Sequence, residues 1–144
     1  MTYDIENSIG NWTNQAASVL SRNLKTMFKN EGISVTPEQF IVLVNLWGKE
    51  GISQSELAKN LNRDNSSVTR IIDTMTQNDL LERREHETDR RAYRIHLTKN
   101  GKALQTKIVK VALKNFEQAL VDISEKDLQT TLKVLKKITQ NLTA

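Results

Sequence analysis

The sequence predicts a mainly α-helical protein with one small β-hairpin, an α+β class. Three observations predict it. Glycine and proline are scarce, 5 and 1 of 144 residues, too few for the frequent turns of a sandwich or barrel. Apolar residues recur at spacings of three and four through long stretches of chain, the signature of amphipathic helices. Tyr93, Ile95 and Leu97 alternate instead with Arg94 and His96, the period of two that marks a strand.

Residues 4–29 read as one long helix, with Ile5, Ile9, Trp12, Ala16, Leu20, Leu24 and Phe28 on one side and Gly32 as its stop. A second helix spans 36–48. Thr36 caps it, Pro37 takes the first helical position, Gln39 completes a capping box, and Val35 and Phe40 form the hydrophobic staple. Ser53-Gln54-Ser55-Glu56 is another capping box, with Ile52 and Leu57 as staple, and opens a short helix ending near Leu61. Asp64 caps a helix over 65–77 whose apolar stripe is Val68, Ile71, Ile72 and Met75. Asn78 or Asp79 supplies a left-handed stop. Strands follow at 81–84 and 92–97 around a polar tip. Thr98 caps a long helix over 99–121, and Ser124 a last one carrying Leu128, Leu132, Leu135, Ile138 and Leu142.

Composition narrows the function. Lys plus Arg is 21 and Asp plus Glu 17, a net charge of +4, with 38% hydrophobic and 26% charged residues. That is globular composition at a one-domain length. Cysteine is absent, which excludes disulfides, thiolate catalysis and cysteine redox sensing. No apolar run approaches the roughly 18 residues that span a bilayer. Residues 1–10 have neither the basic start nor the apolar core of a signal peptide, so a cytoplasmic protein is expected. Enzyme motifs are missing: no phosphate-binding loop, dinucleotide motif or nucleophile elbow is present. His86 and His96 are the only histidines, so neither a catalytic dyad nor a metal site is expected.

The segment 53–77 has the spacing of a helix-turn-helix, two helices joined by a short turn. Leu57, Ala58 and Leu61 can pack on Val68 and Ile71. The second helix then presents Asn65, Ser66, Ser67, Thr69 and Arg70, groups able to reach base edges in a major groove about 12 Å wide. Backbone amides at its start are expected to favour phosphate. After it comes the densest basic stretch, with Arg83, Arg84, Arg90, Arg91 and Arg94 within 12 residues. A hairpin in that place is a wing, whose arginines can enter a narrow minor groove. Asp89, two residues before Arg91, can hold that guanidinium in a fixed direction. Long helices at both ends carry apolar stripes that one small domain cannot cover, so a second copy of the chain is expected to bury them across a two-fold axis.

Residues 36–101 resemble the winged helix of MarR-family transcriptional regulators. The likeness rests on Ser55-Glu56-Leu57-Ala58, Ser66-Ser67-Val68-Thr69-Arg70, Leu80-Leu81-Glu82-Arg83, Asp89-Arg90-Arg91 and Leu97-Thr98-Lys99-Asn100-Gly101. One departure is Asp79, where the family usually has glycine. The resemblance implies one domain over 1–144, with a DNA-binding lobe at 33–98 and a dimerisation region at 4–31 and 99–144. It also implies a homodimer on a pseudo-palindromic DNA operator, usually as a repressor, often released by a small aromatic or phenolic ligand. Asn65, Ser66, Ser67, Thr69 and Arg70 would then face the major groove, and Arg84, Asp89, Arg90 and Arg91 would form the wing contacts. Ser53, Gln54 and Arg63 are the expected phosphate contacts. The expected dimer interface is Ile5, Ile9, Trp12, Leu128, Leu132, Leu135, Ile138 and Leu142. No cofactor is expected. Trp12, Phe28, Phe40, Trp47 and Phe116 are either core aromatics or the lining of an effector cavity. The competing expectation is a winged helix used for protein contacts alone, which would favour an apolar recognition face.

Overall fold

The computed structural model describes residues 2–85, 88 and 93–143. Its elements run α1 (Ile9–Asn30), α2 (Pro37–Gly48), β1 (Ile52–Ser53), α3 (Gln54–Leu61), α4 (Asn65–Gln77), β2 (Leu81–Glu85), β3 (Tyr93–Leu97), α5 (Lys99–Ala103), α6 (Gln105–Ala119) and α7 (Glu125–Leu142). The strands make one antiparallel sheet of order β1-β3-β2.

Side-chain caps set most of the helix starts. At α2 both halves of the expected capping box form, Gln39 N donating to Thr36 Oγ1 at 3.1 Å and Thr36 N to Gln39 Oε1 at 3.2 Å. At α3 only half forms. Ser53 Oγ accepts from Glu56 N at 3.1 Å, but the Glu56 carboxylate turns to Lys49 at 3.3 Å. α1 begins later than residue 4. Asp4 Oδ1 accepts from the amide of Glu6 at 3.1 Å, a local turn that competes with the helix. Ser8 then caps α1, leaving Ile5 off its face. Asp79 adopts the left-handed stop, with φ of 58°.

The expected helix over 99–121 is divided at Leu104. Hydrogen bonds continue on both sides, Leu104 N to Asn100 O and Ile108 N to Leu104 O, so the chain bends rather than stops. The short β1 was not expected either; it pairs Ile52 with Ile95.

The core lies between the sheet and the helices. Leu43, Leu46, Leu57, Val68, Ile72 and Ile95 are buried there, and the cluster continues upward through Phe28 and Ile108. Each such side chain contributes about 1.5–3 kcal/mol by leaving water. The Leu97-Thr98-Lys99-Asn100-Gly101 run closes this unit. Thr98 N donates to Leu80 O at 3.1 Å, and Thr98 Oγ1 donates to Asp79 O at 2.6 Å and accepts from Gly101 N at 3.0 Å. A Cβ at position 101 would collide with the Leu80 carbonyl oxygen, so glycine is required by close approach. No helix among the described residues is long and apolar enough to cross a membrane.

Candidate nucleic-acid interface

α3 and α4 form the helix-turn-helix. Leu57 and Ala58 on α3 and Val68 and Ile72 on α4 are buried in one cluster, while Asn62 takes a left-handed conformation, φ 51°, to turn the chain between them. Across this joint Gln54 Nε2 donates to Thr69 Oγ1 at 2.6 Å, and the Thr69 hydroxyl donates back to Asn65 O at 2.8 Å. Gln54 and Thr69 are therefore a strut between the two helices, half-buried, with less capacity left for DNA than the sequence suggested.

The exposed part of α4 is Asn65, Ser66 and Arg70, with Ser67 half-buried beside them. Asp64 organises its start. Its Oδ1 accepts from Ser67 N at 2.7 Å and from the Ser66 hydroxyl at 2.8 Å. The Ser67 amide, the Ser66 and Ser67 hydroxyls and the nearby charge of Arg70 hold the Asp64 carboxyl below its ordinary value of 3.8. The Ser67 amide is thus committed to the Asp64 carboxylate, the ordinary cap of a helix start.

Among the described residues several arginines of the lobe are paired. Arg63 meets Glu38 of α2 at 2.5 Å, Arg84 meets Glu82 at 2.8 Å through Nε, and Arg94 donates to Gly51 O at 2.8 Å. The two exposed ion pairs, Arg63–Glu38 and Arg84–Glu82, are of a kind worth about 0–1 kcal/mol, so a phosphate can displace either acid at small cost. Arg83 reaches from β2 to Asp73 of α4 at 2.6 Å and ties the wing root to the recognition helix. This pair escaped the sequence reading. The usable signal was alternation, which puts Arg83 on the same inward face as buried Leu81. Ser53 is half-buried at the N-terminus of α3. Asp89, Arg90 and Arg91 lie outside the described residues.

Comparison with known proteins decides the family. The MarR family model matches residues 35–93. Over 129 residues the chain is 31% identical to the transcriptional repressor MprA of Escherichia coli K12, covering 85% of this chain and 72% of MprA. The chain belongs to the MarR family. Among solved structures it is similar to AbsC, a MarR-family transcriptional regulator of Streptomyces coelicolor, at 25% identity and a TM-score of 0.84, over 99% of this chain and 97% of AbsC. A MarR mutant from E. coli, solved in complex with operator DNA, shares the fold at a TM-score of 0.82 and 22% identity, over 90% of this chain and 92% of that one. As a MarR-family member the chain is a DNA-binding transcriptional regulator with a winged-helix fold, and not an enzyme.

In this MarR-family chain the helices at the two ends, α1, α6 and α7, here called the platform, look unlike the lobe. α7 buries none of its residues. Leu132, Leu135 and Leu142 are exposed, the last 82%, and Leu128 and Ile138 are half-buried. Ile9 and Trp12 on α1 are 59% and 54% exposed, as is Ile5 at 59%, although Ile5 precedes the helix. Leu113 and Phe116 on α6 are exposed as well. The aromatics divide accordingly. Phe28, Phe40 and Trp47 stack edge to face, with centroids 5.8 and 6.4 Å apart, and belong to the core. Trp12 and Phe116 belong to the platform surface. A cleft of about 390 Å³ does open between platform and lobe, but Ile33, Val35, Asn78, Leu80, Leu104 and Lys107 line it, none of them aromatic. Among the described residues no cluster of three or more His, Cys, Asp or Glu is placed to hold a metal.

Proposed function

We propose that this MarR-family regulator acts as a homodimeric repressor on a pseudo-palindromic operator and that a small aromatic or phenolic anion relieves it. The observation that carries the reading is the contrast within one chain: a polar, exposed start to α4, and apolar stripes on α1 and α7 that the chain leaves uncovered. The lobe at 33–98 binds DNA; the regions 4–31 and 99–144 pair with those of a second copy. Asn65, Ser66 and Arg70 read the major groove, with Ser67 and Thr69 at its edge. Arg84, Asp89, Arg90 and Arg91 serve the wing, and Ser53, Gln54 and Arg63 meet phosphates after Arg63 exchanges Glu38 for the duplex. A partner-protein module would instead present an apolar recognition face, and α4 has none.

Two recognition helices must lie about 34 Å apart to enter successive major grooves. A ligand in the cleft at Lys107 would wedge platform from lobe and change that separation. Its apolar walls suit a ring, Lys107 suits a carboxylate, and Asn78 and Asn100 offer hydrogen bonds. The test combines a mass measurement with operator binding over a salt titration, with and without 2-hydroxybenzoate as the probe. The expected result is a dimer whose affinity falls steeply with salt and falls further with the probe, the latter effect being lost in Lys107→Ala. Binding without salt dependence overturns the DNA reading. Binding indifferent to a panel of aromatic carboxylates overturns relief by such ligands.

A further inference from the structure

α1 leads into the lobe and α6 leads out of it, so the register between these two helices sets where the lobe hangs from the platform. Their contact is largely apolar: Leu24 and Phe28 on α1 and Ile108, Val111 and Ala112 on α6 are buried in one cluster. One buried polar side chain interrupts it. Asn115, only 2% exposed, accepts from Asn23 Nδ2 through its Oδ1 at 2.6 Å and donates through Nδ2 to the backbone carbonyl of Leu20 at 3.3 Å. Asn23 Nδ2 also donates to Gln118 Oε1 at 3.2 Å.

An apolar side chain of Asn115's volume would fill the same space without preferring any register, as buried polar residues do in coiled coils. Asn115 prefers one. It engages a side chain on α1 and a main-chain carbonyl one turn away, so sliding either helix breaks both bonds inside an apolar seam. A slip of one residue moves a helix by about 1.5 Å. In two protomers this sums to about 3 Å, close to the roughly 3.4 Å that separates base pairs along a strand.

We propose that Asn115 is a positioning residue: its bonds to Asn23 and Leu20 fix α6 against α1, and thereby the separation of the two recognition helices and the half-site spacing the dimer accepts. This rests on the dimeric, operator-binding reading above. The test uses the full-length protein. Because the chain has no cysteine, a single Asn60→Cys on exposed α3 carries a spin label in parent and variants. Inter-lobe distances are measured in the free dimer, and binding is measured on operators with half-sites moved by one base pair either way. The parent is expected to give a narrow distance distribution and to prefer one spacing by about tenfold or more. Asn115→Leu, still dimeric and melting no lower than the parent, is expected to broaden the distribution and bring the three spacings to within about threefold. Asn23→Ala, at an exposed position, should show the same change in smaller measure and serves if Asn115→Leu does not fold. Unchanged distance widths and spacing preference in a folded variant overturn the proposal. A dimeric parent that binds no duplex overturns the operator reading instead, and the distance widths still decide the role of Asn115. A monomeric parent overturns both.

Discussion

The lobe and the platform are written in the same sequence code and meet different fates. In the lobe, the stripe of α4 is closed within one chain: Val68, Ile72 and Met75 are buried against α3 and the sheet. In the platform, α7 carries an equally regular stripe and buries none of it. Helical periodicity announces that a face will be covered; it does not say by what. The lobe covers its own stripes within one chain, whereas α7 leaves its stripe open; the proposed dimer would close it.

Four substitutions or conditions break or sharpen that contrast. The largest effect is expected from Leu135→Asp, which places a charge in the uncovered stripe. The mass by light scattering should halve and operator affinity fall by roughly 10²-fold or more as the second half-site is lost, while the circular dichroism of the lobe persists. Next comes Leu43→Ala in the closed core. It should cost about 2–5 kcal/mol in chemical denaturation and leave the folded protein's mass unchanged. Arg70→Ala acts on neither core nor seam. Its expected cost is about 1–3 kcal/mol in binding to a selected operator, with altered base preference and an unchanged melting temperature.

The smallest effect is in acid. The folded Asp64 carboxyl is held below its ordinary value by the Ser67 amide and the Ser66 and Ser67 hydroxyls, so the stability it lends is fully present above about pH 4. That contribution is lost as pH falls through the depressed folded value. Asp64→Asn should flatten this acid limb of the stability curve and leave that of the platform, followed by dimer mass, where it was.

The sequence revealed what is local. Thr36, Ser53, Asp64, Thr98 and Ser124 each cap the helix they were expected to cap, because a cap and its amide lie three residues apart. It failed where two local signals compete. Asp4 and Ser8 both offer a start for α1, and the turn at Asp4 delays it to Ile9. It also failed where partners are distant. The Arg83–Asp73 pair, the Asn23–Asn115 bond and the bond from Leu97 N to Glu50 Oε1 at 3.1 Å join residues that no periodicity relates. β1 is two residues long, below the length at which alternation can be recognised. Within the site, the polar positions of α4 were legible as a face. Their internal commitments, Thr69 to Gln54 and the Ser66 hydroxyl to Asp64, were not.

On the proposed function, two copies of this chain lay paired recognition helices along one side of a duplex. Selecting bound fragments from a random duplex pool tests it most directly. The expected outcome is an enriched inverted repeat with half-sites about 10–10.5 base pairs apart, centre to centre. Enrichment of a lone half-site, or of nothing at low salt, would contradict it.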